Sequence, residues 1–433
     1  MAPVPEDRKL QRRELGIVVV IAAVQFINIV DFMMVTPLGP FFAHGLDIPK
    51  SNLALIAAAY TAAAGLAGLA GSFFLDRFDR RPALAISIFG LVVGTALGGV
   101  SIGLGTLIAA RAVAGLFGGP ATSLSMAIVA DVVPVERRGR AMSVVMTAFS
   151  AATVLGVPVG LSLAEWGGWR MPFFAIAATG VVINLAAYKS LPPLRGHLER
   201  KRSSGTVREE FVSLLRKRTV RLSFTMTAVV MMAGFILIPN FPAYLVDNLS
   251  LPSDQLKYLY LAGGLASIVT LRVAGRMVDR HGSFKVGSIA TGFLVAAVYF
   301  YVVHFVPGTP VSAMFVVFMM CMNFRNVAYN TLASRVPEPA ERARFQSLQS
   351  AVQHTASALA GGVSAWILKE ATDGKLLHVD VVGLISIGLS LAVPLFLFIV
   401  EREVESRPKQ PMPLSGPVSV SGPAGTPVAP DAR

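Results

Sequence analysis

Four polar side chains interrupt otherwise apolar stretches of this chain. Gln25, Asn28 and Asp31 recur every third residue inside one apolar run, and Arg111 stands inside another. On a helix the first three form one broad stripe that must face a cavity or another helix. An ionised carboxylate deep in a membrane span costs about 2.5–3.5 kcal/mol on insertion scales, so Asp31 cannot face lipid. Burial disfavours a charged carboxylate and a nearby cation favours it, so such a group suits proton or ligand binding. The arm of Arg111 is long enough to reach toward Asp31, and whatever breaks that pair changes both groups together. A carboxylate held only for structure is the bland alternative.

The second half of the chain offers a looser set. Asn323, Asn326 and Asn330 share a helical face, and Arg325 is turned about 100° from Asn326. His354, near Gln349 and Gln353, reads chiefly as a packing histidine with a structural hydrogen bond. Asn240 and Tyr244, with Phe235 and Phe241 around Pro239 and Pro242, suit the wall of an apolar cavity. No metal site is expected, because Cys321 is the single cysteine and lies within an apolar run. No cofactor is expected either. The glycines at 65, 68, 71, 115, 118, 119, 361 and 362 lie inside apolar runs, where they permit close helix contact rather than phosphate binding. No cluster of His, Asp or Ser at one depth supports an enzyme.

The elements that hold these residues are membrane helices. Of 433 residues, 54% are hydrophobic and only 15% charged, with a mean hydropathy of +0.63, which no ordinary soluble domain shows. Apolar runs near 16–42, 52–75, 83–104, 107–133, 141–164 and 171–191, then 222–246, 256–278, 286–306, 310–333, 346–368 and 379–400, predict twelve spans. The net charge of +13 is topological. Of 38 Lys and Arg, 29 fall in the two ends and the loops after even-numbered spans, five in the other loops and four inside spans. That bias predicts cytoplasmic N- and C-termini in a cell (inner or plasma) membrane, and leaves nucleic-acid binding without support.

The predicted organisation is a cytoplasmic arm at 1–15, a six-helix bundle at 16–191, a basic linker at 192–221, a second six-helix bundle at 222–400 and a disordered tail at 401–433. The halves repeat: Asp76-Arg77 recurs as Asp279-Arg280, and Pro134, Arg138 and Arg140 recur as Pro337, Arg342 and Arg344, at offsets of 203 to 204.

These motifs carry a resemblance. Ser72 to Arg81, with Asp76, Arg77 and Arg80, resembles the loop 2–3 signature of the major facilitator superfamily, with Ser72 and Asp79 where that signature has glycine. Its second copy runs from Gly275 through Asp279 and Arg280 to Gly282. Arg111 to Gly115 resembles the RxxQG signature of helix 4 without its glutamine, and Gly156, Pro158 and Gly160 match the helix 5 antiporter signature in its GVPxG form. The chain is thus similar to the drug:proton antiporter branch. The resemblance implies an all-α membrane protein of 12 transmembrane helices in two pseudo-symmetric bundles. It further implies a latch between the halves at Asp76, Arg77, Arg80, Asp279 and Arg280, and a bend at Pro158 that favours exchange over leak. The expected function is proton-coupled efflux of a small amphipathic or drug-like molecule or metabolite by alternating access. The expected partners are the lipid bilayer, a small-molecule substrate and protons, in a monomer. An importer or uniporter on the same fold, and a non-transporting receptor, are the alternatives.

Overall fold

The structure, a computed structural model, describes residues 10–75, 78–194, 207–338 and 341–406. Among them, twelve long helices carry the architecture: α1 (Arg12–Met34), α2 (Leu53–Phe74), α3 (Arg80–Gly99), α4 (Leu104–Val132), α5 (Val135–Ala151 and Val157–Gly167) and α6 (Met171–Ser190) form the first bundle. In the second are α7 (Arg218–Phe235), α8 (Leu256–His281), α9 (Ser283–Val298), α10 (Val311–Ser334), α11 (Arg342–Ile367) and α12 (Val379–Glu405). Eleven spans are long and apolar enough to cross a membrane. The twelfth, α11, has the length at 26 residues but carries Gln346, Gln349, Gln353 and His354, which lower its hydropathy.

Element ends differ from the sequence expectation where local chemistry extends or breaks a helix. The helix α1 begins at Arg12, inside the expected arm, because the Gln11 amide donates to Glu14 Oε2 at 2.9 Å and caps it. It ends at Met34, and the chain turns through Thr36 and Pro37 into a short helix, Gly39–Leu46. The basic segments expected as loops before spans 5 and 11 are already helical, starting just after Pro134 and at Arg342. The expected tail is helical through Glu405, and residues 407–433 lie outside the described set. Within the linker, Val207–Arg216 is a helix. A two-strand hairpin, Lys369–Glu370 against Leu376–Leu377, sits between α11 and α12.

Asp79 replaces the signature glycine without strain. Its φ is −57°, and its Oδ1 accepts from the amides of Arg81 and Leu194 at 3.0 and 3.1 Å, so it serves as the N-cap of α3. At Pro158 a five-residue π-turn, Ala152–Gly156, precedes the proline, which then occupies the first turn of the outer part of α5. The irregularity expected from a missing hydrogen bond is therefore taken up by the π-turn upstream of Pro158.

The hydrophobic cores show how the bundles meet. At the end away from the basic loops, one core crosses both halves, joining Phe42, Ile56 and Trp169 to Phe241, Leu256 and Leu368. At the basic end there are two cores. One holds Ile21, Leu84, Ile128 and Val145 of the first bundle, and the other Phe224, Tyr329, Phe345 and Leu397 of the second, with Leu69 of α2 packed on its edge. Polar cross-links reinforce the far end. Lys50 Nζ reaches Asp247 Oδ1 at 2.8 Å, Gly374 O at 2.8 Å and Glu370 Oε1 at 3.9 Å, and its amide donates to Glu370 Oε2 at 2.8 Å. Lys257 pairs with Glu165 nearby.

Candidate functional site

Asp31 and Arg111 are brought together by three helices of the first bundle. Arg111 Nη1 donates to Asp31 Oδ1 and Nη2 to Asp31 Oδ2, both at 2.9 Å, and Nη2 also reaches the Asp31 carbonyl at 3.2 Å. This bidentate fork is the strong form of a charge-assisted pair. Thr95 of α3 donates to Asp31 Oδ1 at 2.7 Å. Exposures of 0% for Asp31 and 1% for Arg111 keep the pair out of contact with bulk solvent.

Tyr60 of α2 closes the site. Its ring lies 4.8 Å from the Arg111 guanidinium carbon, a cation–π contact, and its hydroxyl donates to Asn28 Oδ1 at 3.0 Å. Asn28 Nδ2 in turn donates to Gly118 O at 3.0 Å and Thr122 Oγ1 at 2.7 Å on α4. The glycines of α4 make room for this. A Cβ on Gly115 would lie 2.2 Å from the Tyr60 carbonyl oxygen, and one on Gly118 2.3 Å from the Tyr60 hydroxyl. Tyr60, Thr95 and Thr122 were missed in the sequence reading. The available signal was a single tyrosine in the alanine-rich second span. Gln25, the innermost member of the stripe, is 3% exposed and its Oε1 has no hydrogen-bond partner. Toward the basic end the next buried residues of α1 are Val24, Ile21, Val18 and Ile17, so the polar stripe stops there.

The second-bundle candidates do not form one site. Asn323 Nδ2 donates to Ser267 Oγ of α8 at 2.7 Å, while Asn326 Oδ1 is buried without a partner. His354 lies where α11 crosses α2, its Cβ 3.1 Å from the position a Cβ on Gly65 would take. Asn240 donates to Ser364 Oγ at 3.0 Å and Tyr244 to the Tyr301 carbonyl at 2.8 Å. Both line a small apolar cavity near the far end, with Ile236, Phe241 and Val382, rather than the centre. Arg325 is 1% exposed between α7, α10 and α12.

The expected latch residues are described only in part. Asp76 and Arg77 lie outside the described residues. Arg80 Nε pairs with Asp131 Oδ2 at 2.6 Å, which joins α3 to the end of α4 within the first bundle. The cause is local: α3 starts at Arg80, which turns its side chain onto the last turn of α4. Asp279 and Arg280 are exposed at the end of α8. The expected close packing at Gly68 and Gly362 is also absent, since neither would meet any atom within 4 Å.

A family model described as Major Facilitator Superfamily matches residues 21–360 and 223–430. An uncharacterized MFS-type transporter, YtbD of Bacillus subtilis (strain 168), is 25% identical over 291 residues, covering 66% of this chain and 71% of that protein. A chloramphenicol resistance protein of Streptomyces lividans is 26% identical over 204 residues, covering 47% of this chain and 52%, about half, of its own length. The crystal structure of a D-xylose-proton symporter superposes with a TM-score of 0.71 at 17% identity, covering 89% of this chain and 97% of that one, which bears on the fold alone. With two six-helix bundles on the page and a family match that runs through both, the chain belongs to the major facilitator superfamily and is a multi-pass membrane transporter of that fold.

Proposed function

We propose that this transporter exports a small amphipathic molecule in exchange for protons, with Asp31 as the coupling carboxylate. One observation carries the reading: a fully buried Asp31–Arg111 fork at 2.9 Å, a charged pair within the first bundle that does not face lipid. Protonation of Asp31 removes the charge that holds Arg111, so the guanidinium must find another acceptor and the helices that carry the two residues must adjust. Substrate and proton thereby compete for one local arrangement, which is the physical requirement for exchange. The GVPxG pattern of α5 and the likeness to a chloramphenicol resistance protein support export over import.

The charge bias supports cytoplasmic termini, so that the far end, where one core crosses the bundles, faces outward and this arrangement is loaded from the cytoplasm. Monomeric operation in the cell membrane follows the same reading. Flux in proteoliposomes under an imposed pH gradient is the test. Efflux driven by the gradient should be lost in Asp31→Asn while substrate exchange without a gradient persists. Full gradient-driven flux in Asp31→Asn overturns the assignment, and uptake in symport with protons overturns the direction.

A further inference from the structure

The two most deeply buried arginines among the described residues, Arg111 and Arg325, are satisfied very differently. Arg111 faces a carboxylate at 2.9 Å through two nitrogens. Arg325, equally buried at 1% exposure, meets no carboxylate among the described residues. Its Nη1 donates to Ser390 Oγ at 3.4 Å and its Nη2 to the Val230 carbonyl at 3.4 Å and to Met322 Sδ at 3.1 Å, while its Nε, like that of Arg111, has no acceptor. Both oxygens lie beyond the usual N–H···O range. Ser390 Oγ accepts from Arg325, and no acceptor for its own proton is seen among the described residues. Arginine stays charged in proteins, so it cannot escape its burial by losing a proton. A buried cation that meets only distant or weak acceptors is complementary to a negative group.

The surroundings say what else the ligand carries. Arg325 Nη2 lies 3.5 Å from the Cβ position of Gly234. The next residue, Phe235, is the last of α7, and the chain beyond it passes through a short 3-10 turn at Ile238–Asn240. Phe235 stacks on Phe32 of α1 across the bundle boundary, with ring centroids 6.4 Å apart, and Phe32 lies 5.2 Å from the Tyr60 ring that covers Arg111. The aromatic contact at the meeting of the bundles therefore lies one residue along α7 from the backbone that Arg325 approaches, next to the point where α7 is interrupted.

We propose that the substrates are aryl or amphipathic carboxylates, whose acid group pairs with Arg325 and Ser390 while the apolar body packs on Phe32 and Phe235. This rests on the transporter reading given above and adds the substrate class. The anion supplies the counter-charge that Arg325 lacks, and the ring replaces the Phe32–Phe235 contact as the bundles part.

The test uses the purified full chain in detergent and a panel of aryl carboxylates, each paired with its neutral primary amide, with affinity read from thermal stabilisation. Acids should bind at least tenfold more tightly than their amides. Arg325→Gln should erase that ratio, and Arg325→Lys should retain part of it. If acids and amides bind the wild-type chain equally well across the panel, or if Arg325→Gln keeps the acid preference, the proposal fails, and the first comparison needs no variant to fold. The readout is binding without a gradient. Acid preference through Arg325 together with gradient-independent flux would overturn the coupling role of Asp31 and leave this inference standing, and the reverse result would do the opposite.

Discussion

Replacing Asp31 by Asn removes charge from a site that is closed off from bulk solvent. In the wild-type chain both Nη atoms of Arg111 face carboxylate oxygens at 2.9 Å, with partner exposures of 0% and 1%. Removing one member of such a buried pair costs about 3–5 kcal/mol, because the other charge is left unmatched. The Asn carbonyl still accepts one hydrogen bond and returns about 1 kcal/mol, so a net loss of about 2–4 kcal/mol is expected. Arg111→Gln alone should also destabilise, since it strands the carboxylate with Thr95 as its remaining donor. The double variant Asp31→Asn/Arg111→Gln removes both charges and restores a neutral amide pair. It should be more stable than Asp31→Asn alone, with a coupling energy of about 2 kcal/mol or more. Cys321 is the single, partly buried thiol, so its labelling by a maleimide dye across a denaturant series in micelles reports unfolding. If Asp31→Asn unfolds with the wild-type midpoint, or the two single losses simply add in the double variant, the pair is not the electrostatic unit described above.

Gly115→Ala sets a Cβ against the backbone carbonyl of Tyr60 at 2.2 Å, which no side-chain adjustment relieves. It should cost about 1–3 kcal/mol of stability and lower flux by lifting Tyr60 from Arg111, and wild-type stability and flux would contradict the packing. Tyr60→Phe keeps the ring over Arg111 but leaves Asn28 Oδ1 without its donor, so a loss of about 1–3 kcal/mol is expected, with coupling to protons retained in the flux assay. Lys50→Gln removes the cation shared by Asp247, Glu370 and the Gly374 carbonyl, each partly buried interaction being worth about 1 kcal/mol. In a Cys321→Ser background, Ile56→Cys, which lines a cleft with Pro239 of the other bundle, should then react several-fold faster with an impermeant maleimide. Unchanged reactivity would show that the apolar core alone holds that end shut.

Asp31 and Arg111 were legible in the sequence because charge inside an apolar run is costly, so it must be matched. Twelve spans and their pairing into halves were legible for a similar reason: apolar length and the offset of 203 between loops are one-dimensional signals. Tyr60, Thr95 and Thr122 were not, because a tyrosine or threonine in a span is tolerated on many faces, and only the packing of α2, α3 and α4 brings these to Asp31 and Asn28. The Arg80–Asp131 pair was not legible for another reason: a motif fixes residue types, but where α3 starts decides that the Arg80 side chain meets Asp131 at the end of α4. Asn240 and Tyr244 were read as cavity residues and do line a cavity, yet the break in α7 carries them away from the centre.

The position of the Asp31–Arg111 pair inside one bundle has a consequence for how a charge change is felt elsewhere. Its partners hang on α2, α3 and α4, while Asp31 belongs to α1, as does Asn28 one turn away, so loss of the fork leaves α1 held to α2 and α4 here by the hydrogen bonds of Asn28. The same helix carries Phe32, the residue that meets Phe235 of the second bundle. Beyond Met34 it leads through the Thr36–Pro37 turn into Phe42, within the core that joins the halves. A shift of α1 therefore reaches the boundary at two depths, the centre and the far end, without a chain of further contacts. These two contacts and the Lys50 cluster lie, with the packing of α2 on α11 and α5 on α8, among the places where the bundles meet. In the proposed cycle a proton on Asp31 weakens its hold on α1 just where that hold bears on the closed end, which is why a pair buried within one bundle can govern the boundary between two.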